Sequence, residues 1–142
     1  MNEQDINDIV EYYKKHMHLI KPFKATVESF FNTHPELNCE PFPIIHSVKS
    51  RIKDPEHLRD KLKRKQSSQR VISTANLFAQ ITDLVGIRVL HLYQDQFPII
   101  HQAILENINN GEWAFVEPPM AYSWDPETKI MYEELGLKNE IR

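Results

Sequence analysis

Apolar residues follow a helical spacing through the first part of the chain. From about Asp5 to His34 they recur at steps of three and four residues, the period of one helix face. Pro22 lies inside this pattern and is expected to kink the segment or to divide it into two helices. Residues 35–43 contain three prolines and are expected to form a loop.

A strand followed by a helix is predicted next. Residues 43–53 are rich in β-branched side chains, which is typical of a strand. The run Asp54-Pro55-Glu56 then has the composition of a helix start, with aspartate as the N-cap and proline in the first turn. This helix is expected to end near Lys65, and residues 66–70 are expected to form a polar linker.

The following segment predicts a second helix and a second strand. Ser73 or Thr74 could cap a helix that continues through Ile81. Residues 84–93 are almost entirely apolar apart from Arg88 and His91, so they are expected to form a central, buried strand.

The last part of the chain predicts two helices and one short strand. A helix over residues 97–109 is expected to end at Asn110-Gly111, and a strand is expected over residues 113–116. A further helix is expected after Pro126 and is stopped by Gly136. No closing element is expected over residues 138–142, which is the pattern of a fragment with an incomplete sheet.

Composition narrows the class of protein. The chain has 142 residues, 41% hydrophobic and 26% charged, which is typical of a folded domain. Its apolar runs are too short to span a membrane, and its acidic N-terminus is not that of a secretory signal. The single Cys39 excludes an internal disulfide and a multi-cysteine metal site. We therefore expect a cytoplasmic protein.

Positive charge is concentrated in one stretch of an otherwise acidic chain. The net charge is −3, yet residues 49–70 hold nine of the 17 Lys and Arg residues and only three of the 20 Asp and Glu residues. This distribution indicates one anion-facing patch, whereas a protein that binds polyanions over its whole surface would be basic overall.

Two cations at the end of the first predicted strand are candidates for binding phosphate. Arg51 and Lys53 are two residues apart and share one side of a strand. In the following helix, Lys61 lies one turn after His57. Such cations suit polyphosphate oxygens. A solvated basic helix beside a strand is the alternative explanation.

Asp83 and Arg88 form the second candidate. A carboxylate at the entry to a buried strand suits Mg²⁺, which takes one or two carboxylates together with phosphate oxygens. An arginine inside an apolar strand is costly unless it meets an anion, so a buried Asp83–Arg88 ion pair is the alternative. Both residues can face one site only if the strand begins after Asp83 or bulges near Gly86.

Both candidates occur together, in the same order and spacing, in one known family. Arg51-Ile52-Lys53, the helix up to Lys61, and Asp83-Leu84-Val85-Gly86-Ile87-Arg88 on a strand resemble the synthetase domain of the RelA/SpoT family. These enzymes make alarmones by moving pyrophosphate from ATP to the 3′-hydroxyl of GTP or GDP. The resemblance covers residues from about 45 to about 140.

The resemblance implies an α+β fold of the nucleotidyltransferase type, a mixed sheet flanked by helices. It places this partial domain at residues 43–142 and leaves residues 1–42 as a helical N-terminal extension.

The resemblance also implies residue roles. Arg51 would stack on the adenine of ATP, and Lys53 and Lys61 would hold its phosphates. Asp83 would bind the cofactor Mg²⁺, and Arg88 would bind phosphate or orient Asp83.

Departures from the family pattern limit the expected activity. His57 stands where the family usually has a serine near the phosphates, so it is a nucleotide-binding candidate of a different kind. The family has a second adenine-stacking arginine shortly after the strand that carries Arg88. This sequence has no arginine between Arg88 and Arg142. The guanine-binding Gly-Tyr-x-Ser-x-His motif and the Glu-x-Gln-x-Arg strand with the catalytic glutamate are also absent from this sequence. The chain therefore contains no catalytic residue of the family, and by itself it is expected to bind ATP without transferring pyrophosphate.

Other functions stay open at this point. A toxin or effector of the same fold could use another acceptor, such as an adenosine nucleotide or tRNA. A non-enzymatic module could use the basic patch for RNA, or the N-terminal helix to form a homo-oligomer.

Overall fold

The computed structural model describes residues 2–66, 71–123 and 125–141. The backbone divides into two units, residues 1–92 and residues 93–142. The first unit contains helix α1 (Glu3–Thr33), strand β1 (Ser47–Ile52), helix α2 (Pro55–Lys65), helix α3 (Leu77–Gln80) and strand β2 (Val85–Leu90). The second contains a 3₁₀ turn (Gln94–Gln96), helix α4 (Phe97–Asn109), strand β3 (Met120–Ser123), helix α5 (Pro126–Glu134) and strand β4 (Lys138–Ile141).

Helix α1 is one continuous helix. Its first turn is closed by a capping box, in which the Asn2 side chain accepts from the backbone N–H of Asp5 at 2.8 Å. Pro22 lies inside the helix, so the expected division into two helices is wrong. Ile20 and Phe31, on either side of the proline, are both buried. Tertiary packing on both sides therefore keeps the segment helical despite the lost backbone hydrogen bond.

Helix α1 covers one face of a two-stranded ribbon. β1 and β2 pair antiparallel, with Ile52 opposite Val85 and Ser47 opposite Leu90. Ile52 and Val85 pack on the hydrophobic core, and Lys24 of α1 donates to the Ser50 hydroxyl at 3.0 Å.

The opposite face of the ribbon is exposed, so the expectation of a central strand buried on both sides is wrong for β2. Some apolar residues of the run over residues 84–93 lie on the covered face. Others, such as Leu90 and Leu92, are exposed.

Helix α2 begins and ends as predicted. The Asp54 carboxylate accepts from the backbone N–H of Glu56 at 2.9 Å, and Pro55 lies in the first turn. Leu58 and Leu62, one turn apart, are fully buried against the core. Most of the predicted linker, residues 67–70, lies outside the described residues.

Helix α3 is shorter than predicted. It begins at Leu77, and neither Ser73 nor Thr74 is its cap. The Asn76 side chain instead accepts from the backbone N–H of Ser73 at 2.7 Å, which holds the residues before the helix in a turn.

In the second unit, α4 and α5 confirm the predicted helices. Gly111, at φ +80°, follows the end of α4, and Gly136, at φ +75°, follows α5. Both glycines adopt the left-handed conformation that commonly follows a helix C-terminus. Asp125 caps α5 by accepting from the backbone N–H of Thr128 at 2.8 Å.

The strands of the second unit differ from the prediction. Residues 113–116 form no strand, and the Trp113 backbone N–H instead donates to the Asn107 carbonyl near the end of α4. β3 instead follows the two prolines, with Ala121 and Ser123 buried in alternation. Residues 138–141, expected to form no element, are β4, which pairs parallel with β3 across α5. This strand–helix–strand unit joins segments too distant for a local pattern to reveal.

The chain is thus an α+β protein, as predicted. The described strands pair as two two-stranded sheets, one antiparallel and one parallel. The mixed sheet of the nucleotidyltransferase type stays a prediction. Helix α1, which precedes the predicted boundary at residue 43, packs in the first unit against both β1 and β2. That boundary also stays a prediction.

A buried hydroxyl links α1 to the end of β1. Tyr13 is fully buried, and its hydroxyl donates to the Lys53 carbonyl at 2.7 Å. We expect Tyr13→Phe to lower the free energy of unfolding by about 1–2 kcal/mol, because the buried carbonyl loses its donor. Urea denaturation measures this change. Tyr12→Phe, which removes a hydroxyl that makes no hydrogen bond in the described part of the chain, is the control, and an equal loss in both variants would contradict the assignment.

Candidate functional site

The lysines and the aspartate singled out in the sequence meet in the first unit. Lys61 Nζ lies 2.7 Å from Asp83 Oδ1, and Lys53 Nζ lies 3.4 Å from Asp83 Oδ2. The three residues come from the end of β1, from α2 and from the segment before β2. We call Lys53, Lys61 and Asp83 the lysine–aspartate cluster.

The core holds each member of this cluster in place. Lys53 continues the ribbon beyond β1, because its backbone N–H donates to the Leu84 carbonyl at 2.8 Å. Lys61 lies on α2 directly before the buried Leu62. Asp83 lies between Ile81 and Leu84, both buried in the core.

The cluster is partly open to solvent. The side chains of Lys53 and Lys61 are 10% and 18% exposed, whereas that of Asp83 is 42% exposed. Lys61 contacts the carboxylate oxygen of Asp83 that is shielded from solvent. The outer part of the carboxylate is therefore the part that a ligand can reach.

The two ammonium groups keep the Asp83 carboxyl ionised. Burial raises the pKa of the Asp83 carboxyl, but contact with Lys61 and the charges of Lys53 and Lys61 outweigh burial and hold that pKa below its usual value. Asp83 is therefore ionised at neutral pH, and the cluster carries a net charge of about +1 from two cations and one anion.

A second group of cations lies on the exposed face of the ribbon. Lys49, Arg51 and Arg88 are all exposed, and Lys49 is directly opposite Arg88. These three residues and Gly86 line an open groove of about 370 Å³ together with Ser50 and Ile87. We call this surface the basic face. In the described part of the chain, none of its three cations forms an ion pair with a carboxylate.

Gly86 allows Arg51 to lie close to the ribbon. The two residues are opposite each other in the register. A Cβ atom on Gly86 would lie 3.3 Å from Arg51 Nε and 3.4 Å from Arg51 Cγ. The Arg51 side chain therefore passes close to β2 at Gly86. A residue with a side chain at position 86 would press against it.

The structure divides the six predicted site residues into three groups. Lys53, Lys61 and Asp83 meet in the lysine–aspartate cluster, and Arg51 and Arg88 lie on the basic face. His57 is exposed on α2 and makes no hydrogen bond or ion pair within the described residues.

Arg88 does not occupy the environment that the sequence predicted. It is exposed, and the alternative Asp83–Arg88 ion pair is not formed, because Asp83 contacts Lys53 and Lys61 instead. The strand does begin after Asp83, which is one of the two conditions for Asp83 and Arg88 to face one site.

Lys49 was not singled out from the sequence. The alternation of β1 identifies it, since Lys49, Arg51 and Lys53 are each two residues apart. Its opposition to Arg88, however, depends on the pairing register, which the sequence does not specify.

A metal at this site would depend on a bound ligand. Among the residues that the structure describes, no group of three or more His, Cys, Asp or Glu side chains is close enough to hold an ion. One partly exposed carboxylate fits Mg²⁺ that is also bound by phosphate oxygens.

Comparisons with known protein families, with curated proteins and with solved structures found no match to this chain. Among the described residues, no helix is long and apolar enough to cross a membrane.

The cluster predicts how stability depends on pH. Because the pKa of Asp83 is lowered by folding, its contribution to stability is complete above the usual aspartate pKa of about 4 and is lost as pH falls through the folded-state pKa. Asp83→Asn should therefore lower the melting temperature at pH 7, and the difference from the unmodified chain should shrink below about pH 4. Thermal unfolding between pH 2.5 and 7 measures this.

Asp60→Asn is the matched control, since Asp60 is exposed on α2 and has no ion-pair partner in the described ranges. A difference between Asp83→Asn and the unmodified chain that stays constant down to the lowest pH would contradict the assigned role of Asp83.

Proposed function

We propose that this chain is the ATP-binding half of a GTP pyrophosphokinase, an enzyme that transfers pyrophosphate from ATP to the 3′-hydroxyl of GTP or GDP. The proposal includes the nucleotidyltransferase-like fold that the resemblance to the RelA/SpoT family implies. It assigns ATP binding to this chain and leaves the guanine site and the catalytic glutamate outside it.

The observation that carries the proposal is the contact of two lysines with one carboxylate. Lys53 and Lys61 come from different elements, yet both ammonium groups lie within 3.4 Å of Asp83. Carboxylate and phosphate oxygens are bound by the same cations. Two lysines that converge on Asp83 without a ligand can therefore bind phosphate oxygens of ATP once Asp83 is engaged by a metal.

Asp83 would hold Mg²⁺ together with the ATP phosphates. Its carboxylate is ionised at neutral pH, and its side chain is the most exposed of the three, although one carboxylate oxygen is shielded. When bound, the ion neutralises charge on the phosphate oxygens. Lys53 and Lys61 would then contribute the remaining positive charge at the β- and γ-phosphates.

Arg51 would bind the adenine. A guanidinium group is planar and stacks on aromatic rings, and the exposed Arg51 lies beside Gly86 and lines the groove. His57, exposed on α2, would lie near the phosphates, as the resemblance implies.

The resemblance to the RelA/SpoT family also implies the reaction of the whole enzyme. The 3′-oxygen of the acceptor attacks the β-phosphorus of ATP, the bond from that phosphorus to the oxygen of the α-phosphate breaks, and AMP leaves. A glutamate outside this chain takes the proton of the 3′-hydroxyl. In this half, the residues orient ATP and neutralise its charge, which are the main contributions a protein makes to phosphoryl-type transfer.

RNA binding is the second candidate, and the exposed cations of the basic face favour it. A non-enzymatic module would bind RNA with strong salt dependence, and ATP would not compete. The same titrations separate these two functions.

Calorimetric titration with ATP, with and without Mg²⁺, tests the proposal. We expect Lys53→Ala to weaken Mg²⁺–ATP binding at least about tenfold, because a charged hydrogen bond of roughly 1.5–3 kcal/mol is lost. We expect Asp83→Ala to abolish the gain in affinity that Mg²⁺ provides. Lys63→Ala, at an exposed position of α2, removes one positive charge outside the cluster and should change affinity much less.

Equal losses in Lys53→Ala and Lys63→Ala would indicate non-specific charge attraction and contradict the proposal. A folded chain that binds RNA but does not bind ATP at millimolar concentration would favour the second candidate.

Gly86→Ala tests the placement of Arg51. The added Cβ would lie 3.3 Å from Arg51 Nε, so the side chain must give by a few tenths of an ångström. We expect the free energy of unfolding to change by less than about 1 kcal/mol, because Arg51 is exposed and can move. Alanine also loses less backbone entropy than glycine when it is fixed in a strand. We expect ATP affinity to fall by roughly twofold to threefold, because the slightly displaced guanidinium stacks less well.

Arg51→Ala provides the control for Gly86→Ala. In that background the glycine substitution should have no further effect on ATP affinity. An effect of the same size in both backgrounds would show that Gly86 acts independently of Arg51.

A further inference from the structure

Two residues, Lys53 and Asp54, join strand β1 to helix α2. We call this connection the β1–α2 junction. Helix α2 begins at Pro55, and a proline fixes its own φ and restricts the residue before it to extended conformations. Asp54 has such a conformation, with φ −62° and ψ 138°. The torsions of Lys53 are therefore the main freedom left in the junction.

Both backbone groups of Lys53 are held by hydrogen bonds. Its N–H donates to the Leu84 carbonyl at 2.8 Å, and its carbonyl accepts from the Tyr13 hydroxyl at 2.7 Å. Tyr13 lies on α1 and is fully buried. Rotation of the peptide group after Lys53 would break the bond to Tyr13 and leave a buried carbonyl without its donor, which is costly. The tyrosine therefore opposes that rotation.

The junction controls how the two lysines of the cluster lie relative to each other. Lys53 is part of the junction, whereas Lys61 lies six residues beyond the start of α2. At 1.5 Å per residue, this places Lys61 about 9 Å along the helix, so a turn of about 10° at the junction moves it by roughly 1.5 Å. The contacts of both ammonium groups with Asp83, at 3.4 and 2.7 Å, depend on that geometry.

We propose that Tyr13 is a positioning residue for phosphate binding, because it locks the β1–α2 junction and keeps Lys53 and Lys61 at a spacing that lets both reach one anion. The resemblance to the RelA/SpoT family begins near residue 45, so this role belongs to the preceding helix α1. The effect on ATP rests on the function proposed above, whereas the lock rests on the two hydrogen bonds of Lys53.

Calorimetric titration of the full chain with Mg²⁺–ATP tests the role in binding. We expect Tyr13→Phe to weaken binding roughly threefold to fivefold, because a loosened junction leaves both lysines correctly placed in only a fraction of the molecules. In the Lys53→Ala background, Tyr13→Phe should have little further effect, since one lysine remains to be placed. Tyr12→Phe, the control on the neighbouring residue, should leave the affinity unchanged.

A second control separates positioning from a general loss of stability. Ile6 is buried on α1, about two turns before Tyr13. Ile6→Val removes one methyl group from the core and lowers stability, but it leaves the Tyr13 hydroxyl in place. At a temperature where both variants are folded, Ile6→Val should bind Mg²⁺–ATP as the unmodified chain does. Equal losses of affinity in Ile6→Val and Tyr13→Phe would show that Tyr13 supports only the fold, and would overturn the inference.

A measurement without ligand tests the lock itself. Asp83→Asn should lower the melting temperature less in the Tyr13→Phe background than in the unmodified chain, because a loosened junction already weakens the contacts of Asp83 with the lysines. Additive losses of melting temperature would show that Tyr13 acts independently of the cluster and would contradict the lock. Failure of the unmodified chain to bind ATP would instead contradict the proposed function, so the two failures are distinguishable.

Discussion

The contact of Lys53 and Lys61 with Asp83 is the interaction on which the site depends. It joins the end of β1, the middle of α2 and the entry to β2, which are separated in sequence by up to 30 residues. Each of these segments is anchored by the core, through Tyr13 at the Lys53 carbonyl and through Leu62 and Leu84 beside the other two side chains. The core thus holds the three charged side chains together. The exposed part of Asp83 is where a ligand could reach them.

The ribbon places its charges by alternation. One face packs on α1, so every second residue of β1 and β2 is directed toward the core. The other face carries Lys49, Arg51 and Arg88 around Gly86. Lys49 and Arg88 are like charges in direct opposition on this face, an arrangement that by itself destabilises a sheet.

Local signals predicted the elements that carry their own capping and turn residues, and missed those that depend on distant partners. Asp54 and Pro55 predicted the start of α2, and Gly111 predicted the end of α4. The parallel pairing of β3 with β4 and the exposure of Arg88 depend on tertiary context that no local pattern contains. Residue type and spacing singled out Lys53, Lys61 and Asp83 as candidates, but they did not predict that both lysines contact Asp83. Lys49 was not singled out, because its position opposite Arg88 depends on the pairing register.

The most direct test of the central claim is the affinity of metal-free ATP for the Asp83→Asn variant. If Lys53 and Lys61 exchange the carboxylate of Asp83 for phosphate oxygens, removing the competing charge frees both lysines. The variant should then bind metal-free ATP roughly tenfold more tightly than the unmodified chain. Equal or weaker binding by a folded Asp83→Asn chain would contradict the account, because the lysines would then not be the groups that receive the phosphates.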